Sequence, residues 1–201
     1  MAGRARGRPL TRQRIAEAAI GLFAEKGVDR TTMKDIAQAL GVSEPALYRY
    51  HASKEALYTS AFLEAYERIA REAVETCLRE PDFRRCVAAL VALFARLFDK
   101  EGDVFTFVLI DHHRYLGAVP ADAERNPVEA LRRLFARSMD AGDIPRRGSP
   151  DFAVAVSLGI VVHTAIFVHY GRLRRPLSSR VGEMTRAVLA ALGATDADDS
   201  K

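Results

Sequence analysis

Apolar residues recur along most of this chain three and four positions apart, the spacing of helices that bury one face. Ile15, Ala18, Ala19, Leu22 and Phe23 form the first such stripe. Thr11 is placed to cap it, and Gly27, following Lys26, to end it. Thr32-Met33-Lys34-Asp35 reads as a capping box opening a second helix, whose buried side is Ile36, Ala37 and Leu40 and whose stop is Gly41. Ser43 starts a very short third helix, with Pro45 in the first turn, where a missing N–H costs little. Ser53 caps the next, which carries Leu63, Tyr66 and Ile69 towards Leu78.

Pro81 breaks the pattern and Asp82 restarts it, with Val87, Leu90, Leu93, Phe94, Leu97 and Phe98 on one side. Gly102 punctuates again. The run from Val104 to Ile110 is β-branched and aromatic and by itself resembles a strand. Its nearest partner, Val156 to Val162, lies inside a longer apolar run without hairpin signals, so helix is the expected state. Asn126-Pro127 opens a helix through Leu131, Leu134, Phe135 and Met139. Phe152 to Tyr170 contains no Asp, Glu, Lys or Arg. A last amphipathic stretch takes Val181, Met184, Val188, Leu189 and Leu192 to Gly193, and the tail after it is expected to fray. The chain therefore reads as all-α, with about nine helices.

Charge divides it. Residues 1–60 hold seven Arg and three Lys against six acids, whereas 61–201 hold twenty charges of each sign, so the net +4 of the 201 residues sits in the first third. A basic head on a neutral body suits a polyanion partner for the head alone. The opening Met-Ala-Gly-Arg-Ala-Arg-Gly-Arg-Pro has no apolar run after its charges, so no signal peptide is expected. The uncharged run approaches the ~20 residues of a membrane span, yet holds Ser157, Gly159, His163, Thr164 and His169. A buried or interface helix in a cytosolic protein is the preferred reading.

Residues 32–50 are the most informative stretch. Two short helices around Gly41-Val42-Ser43 fit a helix-turn-helix, with Ala37 small enough for close crossing and Val42 and Leu47 packing the second helix on the first. In that motif the second helix enters the major groove. Its exposed residues are expected to be Glu44, Ala46, Tyr48, Arg49 and Tyr50, with Arg49 able to donate to guanine or phosphate. Arg4, Arg6, Arg8, Arg12 and Arg14 precede any acid, and glycines and Pro9 keep this arm extended, suited to a minor groove or to phosphates.

The string Thr31-Thr32-Met33-Lys34-Asp35-Ile36-Ala37-Gln38-Ala39-Leu40-Gly41-Val42-Ser43, then Ala46-Leu47-Tyr48-Arg49-Tyr50-His51 and Ser53-Lys54-Glu55-Ala56-Leu57, resembles the N-terminal domain of the TetR family of transcriptional regulators. The likeness covers about Thr11 to Phe62; beyond it only length, helical content and a late apolar helix are similar. It implies a homodimeric repressor with a three-helix DNA-binding head, a helical body that binds a small effector, and a four-helix interface built from two late helices, about 151–172 and 177–192. It implies a flexible arm over 1–10, the head over 11–55 and the body over 56–201. Thr32, Ser43, Tyr48, Tyr50 and Lys54 match positions that contact DNA backbone; Glu44, Pro45, Ala46 and Arg49 match positions that read bases. Two residues depart from the pattern: Pro45, where glycine is common, and His51, where phenylalanine is common; His51 too is a candidate DNA contact.

For the body, Tyr66, Phe94, Phe105, Leu109, His113, Phe135, Met139, His163 and Phe167 are the candidate effector contacts, on chemistry shared with any packed core. They favour an apolar or aromatic effector. Adjacent His112 and His113 point about 100° apart on a helix, and no metal-ligand spacing accompanies them, so neither metal nor cofactor is expected. Cys77 and Cys86 are too few for a disulfide framework, and a separation of nine carries no redox motif; they are expected to be reduced. No nucleophile elbow, phosphate loop or metalloprotease helix argues for an enzyme. The competing reading is a constitutive or architectural DNA-binding protein with a solid body and no effector.

Overall fold

The computed structural model describes residues 9–111 and 119–194, without the side chains of Thr106, Leu109, Ile110 and Asp111. Nine α-helices and no strand are found among the described residues. They are α1 (Arg12–Lys26), α2 (Met33–Leu40), α3 (Glu44–Tyr48), α4 (Lys54–Arg79), α5 (Phe83–Lys100), α6 (Gly102–Asp111), α7 (Pro127–Ala141), α8 (Pro150–His169) and α9 (Val181–Ala191), the last entered through a 3-10 turn at Leu177–Arg180.

Local chemistry sets most of the boundaries. Side-chain oxygens of Thr11, Thr32, Ser53, Asp82, Asn126 and Ser149 each accept a backbone N–H of the first turn that has no helical partner of its own. Gly41 ends α2 at φ +67° and Gly142 ends α7 at φ +84°, a left-handed conformation that glycine adopts without a Cβ penalty. The strand-like run 104–110 is helical, as the lack of a pairing partner requires. Two expected bounds move. The first apolar stripe is rotated slightly, burying Ala16 and Ile20 with Ile15, Ala19 and Phe23 while Ala18 and Leu22 are half-buried. The late helices start and end differently from 151–172 and 177–192, because α8 stops at His169 and Leu177–Arg180 form a 3-10 turn.

Two apolar clusters result. One gathers α1, α2, α3 and the first half of α4 around Ile15, Ile36, Leu47, Leu57 and Phe62, and takes in Phe107 and Val108 of α6. The other fills the space between α5, α7, α8 and α9, with Val91, Phe98, Phe135, Ile144, Val168 and Val188 inside. Helix α4 belongs to both ends of the molecule. Its N-terminal half packs under the head, and Ala73 near its C-terminal end joins the body cluster.

Helix α8 is long and apolar enough to cross a membrane, with a mean hydropathy of 2.0, and 33% of its apolar window is buried. Ala153, Val154, Ser157, Val161, Ala165 and Val168 face the core. Phe152, Ala155, His163, Phe167 and Tyr170 lie on an exposed stripe of the same helix. The uncharged run thus combines a core face with an uncovered apolar face.

Candidate nucleic-acid interface and interior cavity

The head is braced by bonds that leave few groups to chance. Asp35 N–H donates to Thr32 Oγ1 at 3.1 Å, and Thr32 N–H and Oγ1–H donate to Asp35 Oδ2 at 2.8 and 2.6 Å. Those bonds from Thr32, helped by the charges of Lys26 and Lys34, hold the Asp35 carboxyl below the usual carboxylate range. Thr31, fully buried, donates to Gly27 O at 2.8 Å. Lys54 Nζ donates to Val28 O at 2.9 Å, tying the start of α4 to the loop after α1. Tyr50 Oη–H donates to Leu10 O at 2.9 Å, anchoring the residues just before α1 to the end of the helix-turn-helix.

Helix α3 has one fully buried residue, Leu47, and turns the rest towards the surface. Ser43, Pro45, Tyr48 and Arg49 are exposed, and Glu44, Ala46, Tyr50 and Lys54 are half-buried. Ser43 stands at the N-cap as expected, without a side-chain capping bond, which leaves its hydroxyl outside the helix network. His51 differs. It is 6% exposed and its Nε2 has no hydrogen-bond partner, so it is a core residue of the head and not part of the exposed surface. Burial, assisted by the Arg12 charge and opposed by Glu64, pushes its imidazole below the ordinary value of 6.5. Exposed Arg12 and Lys34 in the first turns of α1 and α2 add cations to the head surface; their exposure depends on helix phase. Arg4, Arg6 and Arg8 lie outside the described residues.

In the body, α4, α5, α6, α7 and α8, with Val188 of α9, line a cavity of about 630 Å³. Of the expected effector contacts, Tyr66, Phe94, Phe105, Phe135 and His163 stand on its wall. Two do not. Met139 is buried within the core and turned off the wall, and Phe167, one turn beyond His163, is 53% exposed on the outer face of α8. His112 and His113, and the Leu109 side chain, lie outside the described residues. Much of the remaining wall is aliphatic: Ile69, Leu90, Val91, Leu131, Leu158 and Val162. Charge is absent from the wall residues, and the polar groups are Tyr66, Ser157 and His163. Ser157 spends its hydroxyl on Ala153 O at 2.8 Å and His163 Nδ1 lies 3.1 Å from Gly159 O, so local backbone occupies both. Burial pushes the Tyr66 phenol up to about 12, which keeps it neutral. Val128, Ala155 and His163, all exposed, belong to the wall as well, so the cavity meets the surface beside α7 and α8.

One short helix joins cavity and head. Phe105 of α6 stands on the cavity wall, edge-on to Phe94 with centroids 4.9 Å apart. Two residues on, Phe107 stacks on Phe23 of α1 at 5.9 Å and tilts against Tyr58 of α4 at 4.7 Å. At the foot of α6, Arg68 of α4 forms a two-pronged ion pair with Glu101, with Nη1 to Oε1 at 3.0 Å.

The fold and these two sites define a helix-turn-helix head set on a hollow helical body. Residues 15–61 match the family described as bacterial regulatory proteins, tetR family. A nucleoid occlusion factor SlmA from Glaesserella parasuis serovar 5 (strain SH0165) is 32% identical over 101 residues, 50% of this chain and 49% of that one; the chain thus matches about half the length of that curated relative. Among solved structures, the TetR family transcriptional regulator PfmR from Thermus thermophilus is 25% identical with a TM-score of 0.68, covering 94% of this chain and 99% of that one. The transcriptional regulator FadR from Bacillus subtilis, in complex with stearoyl-CoA, shares the fold with a TM-score of 0.79 at 14% identity, over 92% of this chain and 100% of that one.

Proposed function

We propose that this protein is a homodimeric, sequence-specific DNA-binding transcriptional repressor released from a palindromic operator by a small apolar effector, and that it works in the cytoplasm. The 630 Å³ cavity carries the effector reading, since a solid body would fill that volume with side chains. A wall without charged residues favours an effector whose buried part is a hydrocarbon chain or an aromatic ring system. The stearoyl-CoA of the Bacillus subtilis FadR complex supports an acyl chain as the first candidate.

The DNA contacts fall to the exposed face around α3. Arg49 reads a base edge or a phosphate. Tyr48, Ser43, Thr32, Tyr50 and Lys54 lie along the backbone, and Glu44, Pro45 and Ala46 face the groove. Arg4, Arg6 and Arg8 extend into an adjacent groove. The exposed stripe of α8, with α9 beside it, forms the contact with a second copy. Two heads then meet successive major grooves ~34–36 Å apart.

Coupling runs through α6. An effector that presses on Phe105 shifts the helix that carries Phe107 against Phe23 and Tyr58. Release requires different affinities for the effector in the two arrangements, or the equilibrium does not move.

The test is selection of bound sequences from random duplex DNA, followed by titration of the winner with long-chain acyl thioesters. A palindromic winner that the acyl compound displaces is the expected result. Enrichment of no sequence, with affinity that only collapses as salt rises, overturns sequence-specific regulation. A palindrome that no apolar compound displaces overturns the effector and leaves a constitutive DNA-binding protein.

A further inference from the structure

The two cysteines are nine positions apart, and the fold brings them together. Cys77 lies in the last turn of α4 and Cys86 in the first turn of α5, on either side of the short connection Glu80-Pro81-Asp82. Cys86 is 1% exposed inside the body cluster, and half-buried Cys77 packs against that cluster. The two thiols are close enough that each shifts the other's titration. Chain reversal at Pro81 makes neighbours of two residues that no linear motif pairs.

We propose that Cys77 and Cys86 are a peroxide-oxidisable pair that closes into a reversible disulfide across the α4–α5 hairpin.

The two sulfurs have unequal chemistry. The neighbouring Cys86 thiol, with the Arg137 guanidinium of α7 nearby, favours a thiolate at Cys77 against the opposing effect of burial. Cys86 is driven the other way, by the neighbouring Cys77 and by burial, and stays a thiol. The nearer group to solvent is therefore also the better nucleophile. Cys77 thiolate attacks one peroxide oxygen; the S–O bond forms, the O–O bond breaks, and the leaving hydroxide combines with the proton released when Cys77 ionised and departs as water. Cys86 sulfur then attacks Cys77 sulfur; the S–S bond forms, the S–O bond breaks, and the second oxygen leaves as water with the Cys86 proton. Two thiols lose two electrons and two protons, and one hydrogen peroxide becomes two waters. A small thiol or dithiol reverses the step by exchange.

The position gives the crosslink a consequence. Ala73, one turn before Cys77 on α4, and Val87 and Leu90, one and four residues after Cys86 on α5, stand on the cavity wall. A disulfide therefore pins the two helices where they close one end of the cavity.

The experiment uses the full chain, reduced, freed of reductant and treated with hydrogen peroxide before alkylation and digestion with trypsin. The expected product joins peptide 72–79 to peptide 86–96, lighter by two hydrogens than the separate pair and split by dithiothreitol. Alkylation should fall from two thiols to none, with no covalent dimer on a non-reducing gel. In the C86S variant, Cys77 should stop at the sulfenic acid and be trapped by dimedone; in C77S, Cys86 should stay alkylatable. Both variants nearly conserve size, and circular dichroism checks that the more polar hydroxyl leaves them helical. Two alkylatable thiols after oxidation, a disulfide between chains, or Cys77 running to the sulfinic acid with Cys86 untouched would each overturn the pair. None of these outcomes depends on DNA or an effector, so the proposal and the repressor reading fail separately.

Discussion

The head and the body are built from the same kinds of residue and use them in opposite ways. In the head, Ile15, Ile36, Leu47, Leu57 and Phe62 are fully buried, and side chains such as Thr31 and Lys54 secure the loops between helices. In the body, Leu90, Phe94, Leu131 and Leu158 remain half-buried around an unfilled volume. A head that must present a fixed surface gains from a packed interior. The effector-binding body proposed above gains from one that can be filled. The aliphatic side chains are alike; their supporting contacts differ.

The sharpest way to break that contrast is a pair of truncations. Leu47→Ala removes a fully enclosed side chain beneath α3 and should cost about 2–5 kcal/mol of head stability in urea unfolding. Leu90→Ala enlarges a cavity that already exists, and its cost should be about half of that or less. Equal losses at the two positions would mean that the body is as tightly packed as the head.

Arg49→Ala comes next. The side chain is exposed, so thermal unfolding should be unchanged while specific DNA affinity falls by about 1–3 kcal/mol in a binding titration. Unchanged affinity would remove Arg49 from the recognition surface.

His51 marks a place where the head's interior departs from its rule. With a folded-state value below 6.5, the unfolded chain takes up the proton first. Stability is therefore intact above pH 6.5 and is lost as pH falls below it, until the folded imidazole also titrates. His51→Phe removes the unpartnered Nε2 and should gain about 1 kcal/mol at pH 7. Its advantage should widen at pH 5, as read from urea midpoints; an equal midpoint shift at both values would rule out titration at His51.

The smallest effect is expected on the outer face of α8. A Cβ at Gly159 meets nothing within 4 Å in the protomer, so Gly159→Ala should add about 0.5–1 kcal/mol through helix propensity alone. Light scattering then separates the roles of this face. A weaker dimer with a more stable protomer would show that α8 packs closely against its copy, and an unchanged dimer would place the contact elsewhere.

How much of this was legible in the sequence follows from range. Helix starts at Thr11, Thr32, Ser53, Asp82 and Asn126 depend on bonds within one turn and could be read in place. The helix-turn-helix was equally local. The cavity was not, because Phe135 on its wall and Met139 one turn later in the core differ only in the rotation of α7 relative to its neighbours. Phe167 has the chemistry of an interior residue and lies outside because the cavity ends before the last turn of α8. Exposed Phe152, Phe167 and Tyr170 likewise make an uncharged stretch look wholly internal when only one of its faces is. The cysteine pair depends on a chain reversal that spacing alone does not encode.

Helix α4 has a mechanical consequence. Its 26 residues run from the underside of the head to the far end of the cavity without a break, a rod about 39 Å long. A rod multiplies angle into distance. Tilting it by about 10° at the cavity end carries the other end through about 7 Å, more than half the ~12 Å width of the major groove. For the proposed repressor, adjustments at the hollow end too small to disturb a helix are thus enough to put the recognition surface out of register with DNA.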